Sequence, residues 1–340
     1  RGSALRSRSE RADPATVPEC AGGSAARPAG RPGTSVRRVT APIVATRGLH
    51  FSYGDIVALS GVDLEVPAGS IGLVGANGAG KTTLIKLLLG ILTPGAGEVA
   101  VLDRPIPAQT LAVRSRVGYM PENDCLPPDQ TAADFLIYAA ELGGLPLRAA
   151  RQRASDVLTI VGLHEERFRR LGEYSTGMQQ RAKLAQAIVH DPELVLLDEP
   201  TAGLDPEGRE EMLDLITRLE DFGINAVVSS HVLPDIERTC SWVVMLDGGK
   251  VLRSGPLTDL STTDAVELEI LGDPAPVAAA LTGAGAAVSP TDEGLLVTME
   301  DGDPFTVVRD ALASTGAGIK RMGPRRITLE DIYLERDTDV

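Results

Sequence analysis

The chain has 340 residues, 43% of them hydrophobic and 24% charged, the balance of a globular protein with room for one large and one small domain. A formal net charge of −14 argues against a general nucleic-acid binder, which needs a basic surface to displace counterions. Cys20, Cys125 and Cys240 are too scattered for a disulfide framework or a zinc site, and no stretch reaches the roughly 18 apolar residues of a membrane span. Residues 1–42 are rich in Arg, Ser, Pro, Ala and Gly and carry almost no large apolar side chain, so disorder is expected there. That segment lacks the apolar core of a secretory signal, and Glu10, Asp13 and Glu19 count against a transit peptide.

From Ile43 onward, short apolar runs alternate with turns. "IVATRGLHFSYG" and "LSGVDLEV" read as strands. "SIGLVG" reads as a continuous buried strand that feeds a glycine-rich loop and the apolar helix "TTLIKLLLGIL", the opening of a βαβ unit. A largely helical stretch from about 124 to 190 precedes two more buried strands, "LVLLDE" and "NAVVSS", each leading into a helix. "SWVVML" and "VLRSG" flank a hairpin turn over 247–250. Beyond 260 the pattern changes: "AVELEIL" is a strand, "PAPVAAALTGAG" a helix, and "AAVSP" and "LLVTME" a strand pair. "DPFTVVRDALAST" is a helix capped by Asp303 with Pro304 in its first turn, and "GIKRM" is a strand. "TLEDIYLE" is a helix with a capping box at Thr328 and Asp331. The order β-α-β-β-α-β predicts a small ferredoxin-like unit of about 75 residues.

Two segments carry chemistry. "GANGAGKTT", residues 75–83, satisfies G-x-x-x-x-G-K-[ST] and lies between a buried strand and a helix. Gly75, Gly78 and Gly80 leave the loop free to bend, so that the main-chain amides across Ala76, Asn77 and Ala79 turn inward around a polyphosphate. The following helix adds its positive N-terminal end. Lys81 is expected to reach the β- and γ-phosphates, Thr82 to offer a hydroxyl to Mg²⁺, and Thr83 to complete the run. "LVLLDEP", residues 194–200, is an apolar strand that ends in two acids at the sheet's carboxyl edge. Asp198 is expected to hold Mg²⁺ through its water shell and Glu199 to orient the attacking water. Alone, such a strand is as often structural; beside the phosphate loop it points to ATP hydrolysis.

"YSTGMQQR", residues 174–181, resembles the signature of ABC transporter nucleotide-binding subunits, with Ser175 and Gly177 retained and Thr176 and Met178 departing from the commonest pattern. The likeness runs from roughly 44 to 260 and keeps the family's motif order. It implies an α/β P-loop NTPase fold of the ABC-ATPase type, with a mixed sheet and a helical subdomain at about 124–190. The expected organisation is a disordered extension over 1–42, an ATP-binding domain over 43–260 and a small C-terminal α+β, ferredoxin-like domain over 261–340. The resemblance further implies a nucleotide-sandwich dimer in which Ser175 and Gly177 face the γ-phosphate held by the other protomer. Asp205 of "GLDP" lies in the loop that links protomers, His231 of "SSH" matches the switch histidine, and Tyr53 of "FSYGD" matches the aromatic that stacks on adenine. "GYMPEN" places Glu122 where the family usually has the glutamine that touches Mg²⁺. Standing alone, Tyr53 reads as strand packing, His231 as a surface residue and Ser175 as an ordinary helix cap.

The implied activity is ATP hydrolysis by Lys81, Glu199 and His231, coupled to transport by a transmembrane permease. The implied mate is a copy or a paralogue of this chain, and the implied place is cytoplasmic, on the inner face of the membrane through that permease. The helical insert is expected to carry the permease-gripping surface, although core packing explains stretches such as "AADFLIYAAELGGL" equally well. The "YSTGM" variant and the "TLEDIYLE" ending look like exporter ATPases. An importer ATPase and a soluble ABC-family ATPase are the alternatives. The first often carries a barrel-like C-terminal domain; the second usually has paired cassettes or long coiled coils.

Overall fold

The structure is a computed structural model, and it describes residues 41–260, 262–291, 294–299 and 303–326. The expected disorder before residue 41 and the expected "TLEDIYLE" helix lie outside the described residues. Strands β1 (Val44–Tyr53), β2 (Ile56–Val66) and β3 (Ser70–Val74) lead into helix α1 (Lys81–Leu88). Then come β4 (Ala96–Val101), β5 (Arg104–Ile106), α2 (Thr110–Arg114), β6 (Val117–Met120), α3 (Ala132–Leu142), α4 (Leu147–Ile160) and α5 (Thr176–Ile188). β7 (Leu194–Asp198), α6 (Pro206–Thr217), β8 (Asn225–Ser230), α7 (Leu233–Thr239) and the hairpin β9 (Trp242–Asp247) and β10 (Lys250–Pro256) follow. The remaining elements are α8 (Leu257–Leu260), β11 (Thr262–Leu271), α9 (Ala275–Gly283), β12 (Ala287–Pro290), β13 (Leu295–Thr298), α10 (Pro304–Thr315) and β14 (Gly318–Arg326).

The central sheet has six strands in the order β10-β9-β3-β8-β7-β6. All neighbours pair in parallel except β10, which returns antiparallel from β9. Every residue of β3 and β7 is buried, which is why both read as continuous apolar runs rather than as alternation. A second, antiparallel sheet has the order β2-β1-β4-β5. Helix α1 lies between the two sheets: Leu84, Ile85, Leu87 and Leu88 share one apolar cluster with Leu49 and Leu59 on one side and Leu73 and Leu196 on the other. Helices α3 to α7 pack in another cluster that includes Val195 and Leu197, the alternate positions of β7.

Two differences from the sequence reading have physical causes. Helix α1 ends at Leu88 rather than running through "GIL", because Gly90 takes the left-handed φ of 63° and Ile91 folds its amide back onto the Lys86 carbonyl at 2.9 Å. Strands β4, β5 and β6 were not anticipated; they are short, and β4 exposes three of its six residues. In β6, a Cβ on Gly118 would lie 1.9 Å from the Ala187 carbonyl, so only glycine lets α5 approach this strand so closely.

The third sheet, order β12-β13-β11-β14, is antiparallel throughout. With α9 and α10 it has the ferredoxin-like arrangement, and its own apolar cluster joins Val277, Leu281 and Val308 to Val266, Leu268 and Val297. Asp303 caps α10, accepting from the Phe305 amide at 3.1 Å, with Pro304 in the first turn.

Candidate functional site

Strands β3, β8, β7 and β6 lie side by side and parallel, so their carboxyl ends share one edge of the sheet. The phosphate loop leaves β3, His231 follows β8, Asp198 ends β7 with Glu199 next, and Glu122 follows β6. Ligands in open α/β sheets bind at this edge. Here it opens into a cleft of about 520 Å³ lined by Tyr53, Asn77, Lys81, Glu122, Glu199 and His231, among others. Thr82 and Thr83 also line it, as do Ala76, Gly78 and Gly80. Tyr53 is 47% exposed at this cleft and meets Phe51 edge-on, with ring centroids 4.9 Å apart.

The three loop glycines serve two different needs. Gly78 and Gly80 take positive φ values of 86° and 106°, which side-chain-bearing residues rarely adopt. Gly75 is needed for space, because a Cβ there would sit 2.4 Å from the Leu246 carbonyl and 2.9 Å from the Ala79 side chain. The loop rests against the tip of the β9–β10 hairpin. Both tip residues, Gly248 and Gly249, have positive φ, the conformation a two-residue hairpin turn of this hand requires. The Gly249 amide donates to the Ala79 carbonyl at 3.2 Å, and the Gly249 carbonyl accepts from Ser60 at 2.8 Å. Lys81 is buried over the loop, donating to the Gly75 carbonyl at 2.7 Å and standing 3.4 Å from Glu199 Oε1.

The acidic pair is held from β8. Asp198 is 1% exposed; its Oδ1 accepts from the Ser229 hydroxyl at 2.6 Å, and its Oδ2 has no hydrogen-bond donor. Glu199 has a φ of 49°, a backbone conformation that costs a non-glycine residue about 1–3 kcal/mol and is held only where its surroundings fix it. Its amide donates to both the carbonyl (3.2 Å) and the hydroxyl (3.1 Å) of Ser229. Its Oε2 lies 2.9 Å from His231 Nδ1, while Oε1 is buried without a hydrogen-bond donor. With the carboxylate ionised, that contact requires the proton on Nδ1. On β6, the Tyr119 phenol is pushed up to about 12, by burial first and then by the charge of Asp198. No motif marks Ser229 in the sequence; its part here comes from the β7–β8 register, which sets it opposite Asp198.

Asp198 Oδ2, which has no donor, and the Thr82 hydroxyl are hard oxygen donors of the kind that fit Mg²⁺; Thr82 lines the cleft, Asp198 is buried and is not among its lining residues, and Glu199 Oε1 faces the Lys81 ammonium. Among the described residues there is no group of three or more His, Cys, Asp or Glu side chains able to hold a metal. A cation here would therefore take most of its ligands from phosphate and water, the habit of Mg²⁺.

Ser175, Gly177 and Asp205 lie elsewhere. They line a second recess of about 580 Å³, which shares no lining residue with the first. Ser175 caps α5, accepting from the Met178 amide at 3.3 Å, and Asp205 caps α6, accepting from the Gly208 amide at 2.8 Å. Within α5, Lys183 is 2% exposed and donates to the main-chain carbonyl of Glu122 at 2.8 Å. Burial lowers the pKa of its ammonium, against the raising effect of Cys125, Asp124, Glu122 and Asp198.

A match to the family described as ABC transporter covers residues 59–202. The Nod factor export ATP-binding protein I of Burkholderia orbicola is 32% identical over 292 residues, 85% of this chain and 94% of that protein. The chain belongs to the ABC transporter ATP-binding proteins. A further relative of this ABC protein, an ABC transporter ATP-binding protein of Nostoc sp., is 41% identical over 208 residues, 60% of this chain and 62% of that relative's length. The solved structure of CbiO1 from Clostridium perfringens, part of the ABC transporter complex CbiONQ, matches with a TM-score of 0.60 at 25% identity. That match covers 65% of this chain and 91% of CbiO1. This ABC protein is an ATP-binding ATPase subunit, and no helix among its described residues is long and apolar enough to cross a membrane.

Proposed function

We propose that this ABC ATPase drives a membrane permease of the exporting kind, and that it hydrolyses ATP as a nucleotide-sandwich dimer. The reading rests above all on the division of the site. The phosphate loop, Glu199 and His231 line one cleft, whereas Ser175 and Gly177 line another, so a second molecule is needed to bring a signature helix onto the nucleotide. The mate is a second copy or a paralogue, and Asp205 lies at the junction.

In this scheme the loop amides and Lys81 hold the triphosphate, and Tyr53 stacks on adenine. Thr82 and Asp198 hold Mg²⁺, with Glu122 beside its shell. A magnesium ion held there would supply neutralisation of charge on the β- and γ-phosphates. Glu199 orients and polarises the attacking water, and His231 fixes its carboxylate from the outer side while sensing the γ-phosphate. The free end of α5, with Ser175 as cap, offers amides to the γ-phosphate of the mate. Export is supported by the relatives named as export ATP-binding proteins. Docking to a permease is supported by Tyr138 and Leu142, exposed one helical turn apart on α3, while Leu136 and Ala140 of the same helix are buried. The protein would then sit at the inner face of the membrane through that permease.

Glu199→Gln tests the core of the scheme. It should bind Mg-ATP, lose turnover by about 10²- to 10⁴-fold and accumulate an ATP-dependent dimer in size-exclusion chromatography. Undiminished hydrolysis would remove Glu199 from its role, and a wild-type specific activity unaffected by dilution would sink the sandwich.

A further inference from the structure

We infer that Lys183 is a positioning residue that couples the two nucleotide sites of the dimer, by tying the signature helix of each protomer to the edge of that protomer's own cleft. The inference rests on the sandwich-dimer reading above. Helix α5 buries Ala182, Leu184, Ala185, Ala187 and Ile188 around this lysine. An ammonium group in such surroundings gives up hydration that one hydrogen bond replaces only in part. A methionine would fill the same length of core at no such cost. What the lysine adds is a donor that reaches out of α5 to the main chain of Glu122, where the chain leaves β6 and enters the cleft. Because the acceptor is the main-chain carbonyl, the bond itself does not use the Glu122 side chain, whose charge acts on the ammonium separately.

A second tie lies one turn earlier on the same side of the helix. Gln180, 7% exposed, donates from Nε2 to the Ala202 carbonyl at 3.1 Å. Ala202 lines the cleft three residues beyond Glu199, and the chain then passes directly to Gly203 and Asp205 in the second recess. Helix α5 is thus pinned at two carbonyls that belong to its own protomer's cleft, while its N-terminal end opens into the recess meant for the mate's nucleotide. A rigid helix of 13 residues held this way transmits displacement of either carbonyl to Ser175. Nucleotide arriving in one site therefore sets the position of the signature that completes the other.

The test compares full-length wild type, Lys183→Met, Lys183→Arg and Gln180→Met in three measurements: ATPase rate against ATP concentration, binding of a fluorescent ATP analogue, and melting temperature. Wild type should show a Hill coefficient approaching 2, the ceiling for two sites. Lys183→Met should bind the analogue within about twofold of wild type, since the phosphate loop is untouched. Its Hill coefficient should fall to about 1, the value for uncoupled sites. Lys183→Arg should recover cooperativity. Retained cooperativity in Lys183→Met, or an equal loss in the methionine and arginine variants, would overturn the inference in favour of plain packing. If Lys183→Met does not fold, Gln180→Met reads the second tie, and unchanged cooperativity there overturns it as well. A Glu199→Gln variant that forms no ATP-dependent dimer would defeat the dimer reading first, and this inference with it.

Discussion

Ser229→Ala probes how the acidic end of β7 is held. The side chain is fully buried, and its hydroxyl donates to Asp198 at 2.6 Å while accepting from the Glu199 amide at 3.1 Å. The amide keeps the Ser229 carbonyl at 3.2 Å, so its loss is small. Asp198 loses more. Its other oxygen already lacks a donor, and removing the hydroxyl leaves a buried carboxylate without any side-chain partner. The cost of removing a charge-assisted hydrogen bond is about 1.5–3 kcal/mol. Alanine preserves the methylene, so the cavity contribution is minor. At roughly 1.4 °C per kcal/mol for a chain of 340 residues, the melting temperature should fall by about 2–4 °C. Glu199 would lose one of the two bonds that hold its strained backbone, and a misplacement of about 1 Å can cost on the order of 10²-fold in rate. We therefore expect kcat to fall by about 10- to 100-fold, with KM for ATP little changed. Calorimetry gives the first number and steady-state kinetics the second. A double-mutant cycle with Asp198→Asn should show coupling of about 1 kcal/mol or more. Additive stabilities, or a variant that melts and turns over like wild type, would refute the reasoning.

Two other expectations follow from geometry. Gly75→Ala should destabilise the fold by about 1–3 kcal/mol and weaken nucleotide binding, because the new methyl meets main-chain oxygen at 2.4 Å; a melt and a nucleotide titration check both. His190 has its pKa lowered by burial, only partly opposed by a hydrogen bond with the Val117 main chain. The unfolded chain therefore takes up this proton first, and the stability it confers is complete above about pH 6.5 and lost as pH falls below. Melting temperatures between about pH 7.5 and 5.5 should fall more steeply for wild type than for His190→Gln, and parallel slopes would exclude the assignment.

Features written as contiguous pattern were legible in the sequence. The all-buried strands β3 and β7 appear as unbroken apolar runs, and the phosphate loop and the acidic pair sit at their ends. The turn at 248–249 was visible as paired glycines, and the ferredoxin-like order of the last sheet as a succession of runs and caps. What stayed hidden depends on neighbours across the sheet. Strand β6 is four residues long and is made a strand by pairing with β7, not by its own composition. Ser229 acquires its role only because β8 runs between β3 and β7 and brings its hydroxyl to Asp198. Lys183 did leave a trace, a cation inside the apolar stretch "RAKLAQAI", but no spacing rule says which carbonyl it will meet.

The backing of the phosphate loop has a consequence for anyone who would move it. Its nine letters do not stand by themselves: Gly249, far downstream, donates to Ala79, and Leu246 fixes how near Gly75 must pass. Grafted into another strand–helix pair, the nonapeptide would carry its spelling without this backstop, and nothing would hold Gly75 and Ala79 where they now lie. A host that reproduced the loop's shape would have to import the late hairpin too, so the smallest transferable unit is a piece of tertiary structure, not a stretch of sequence.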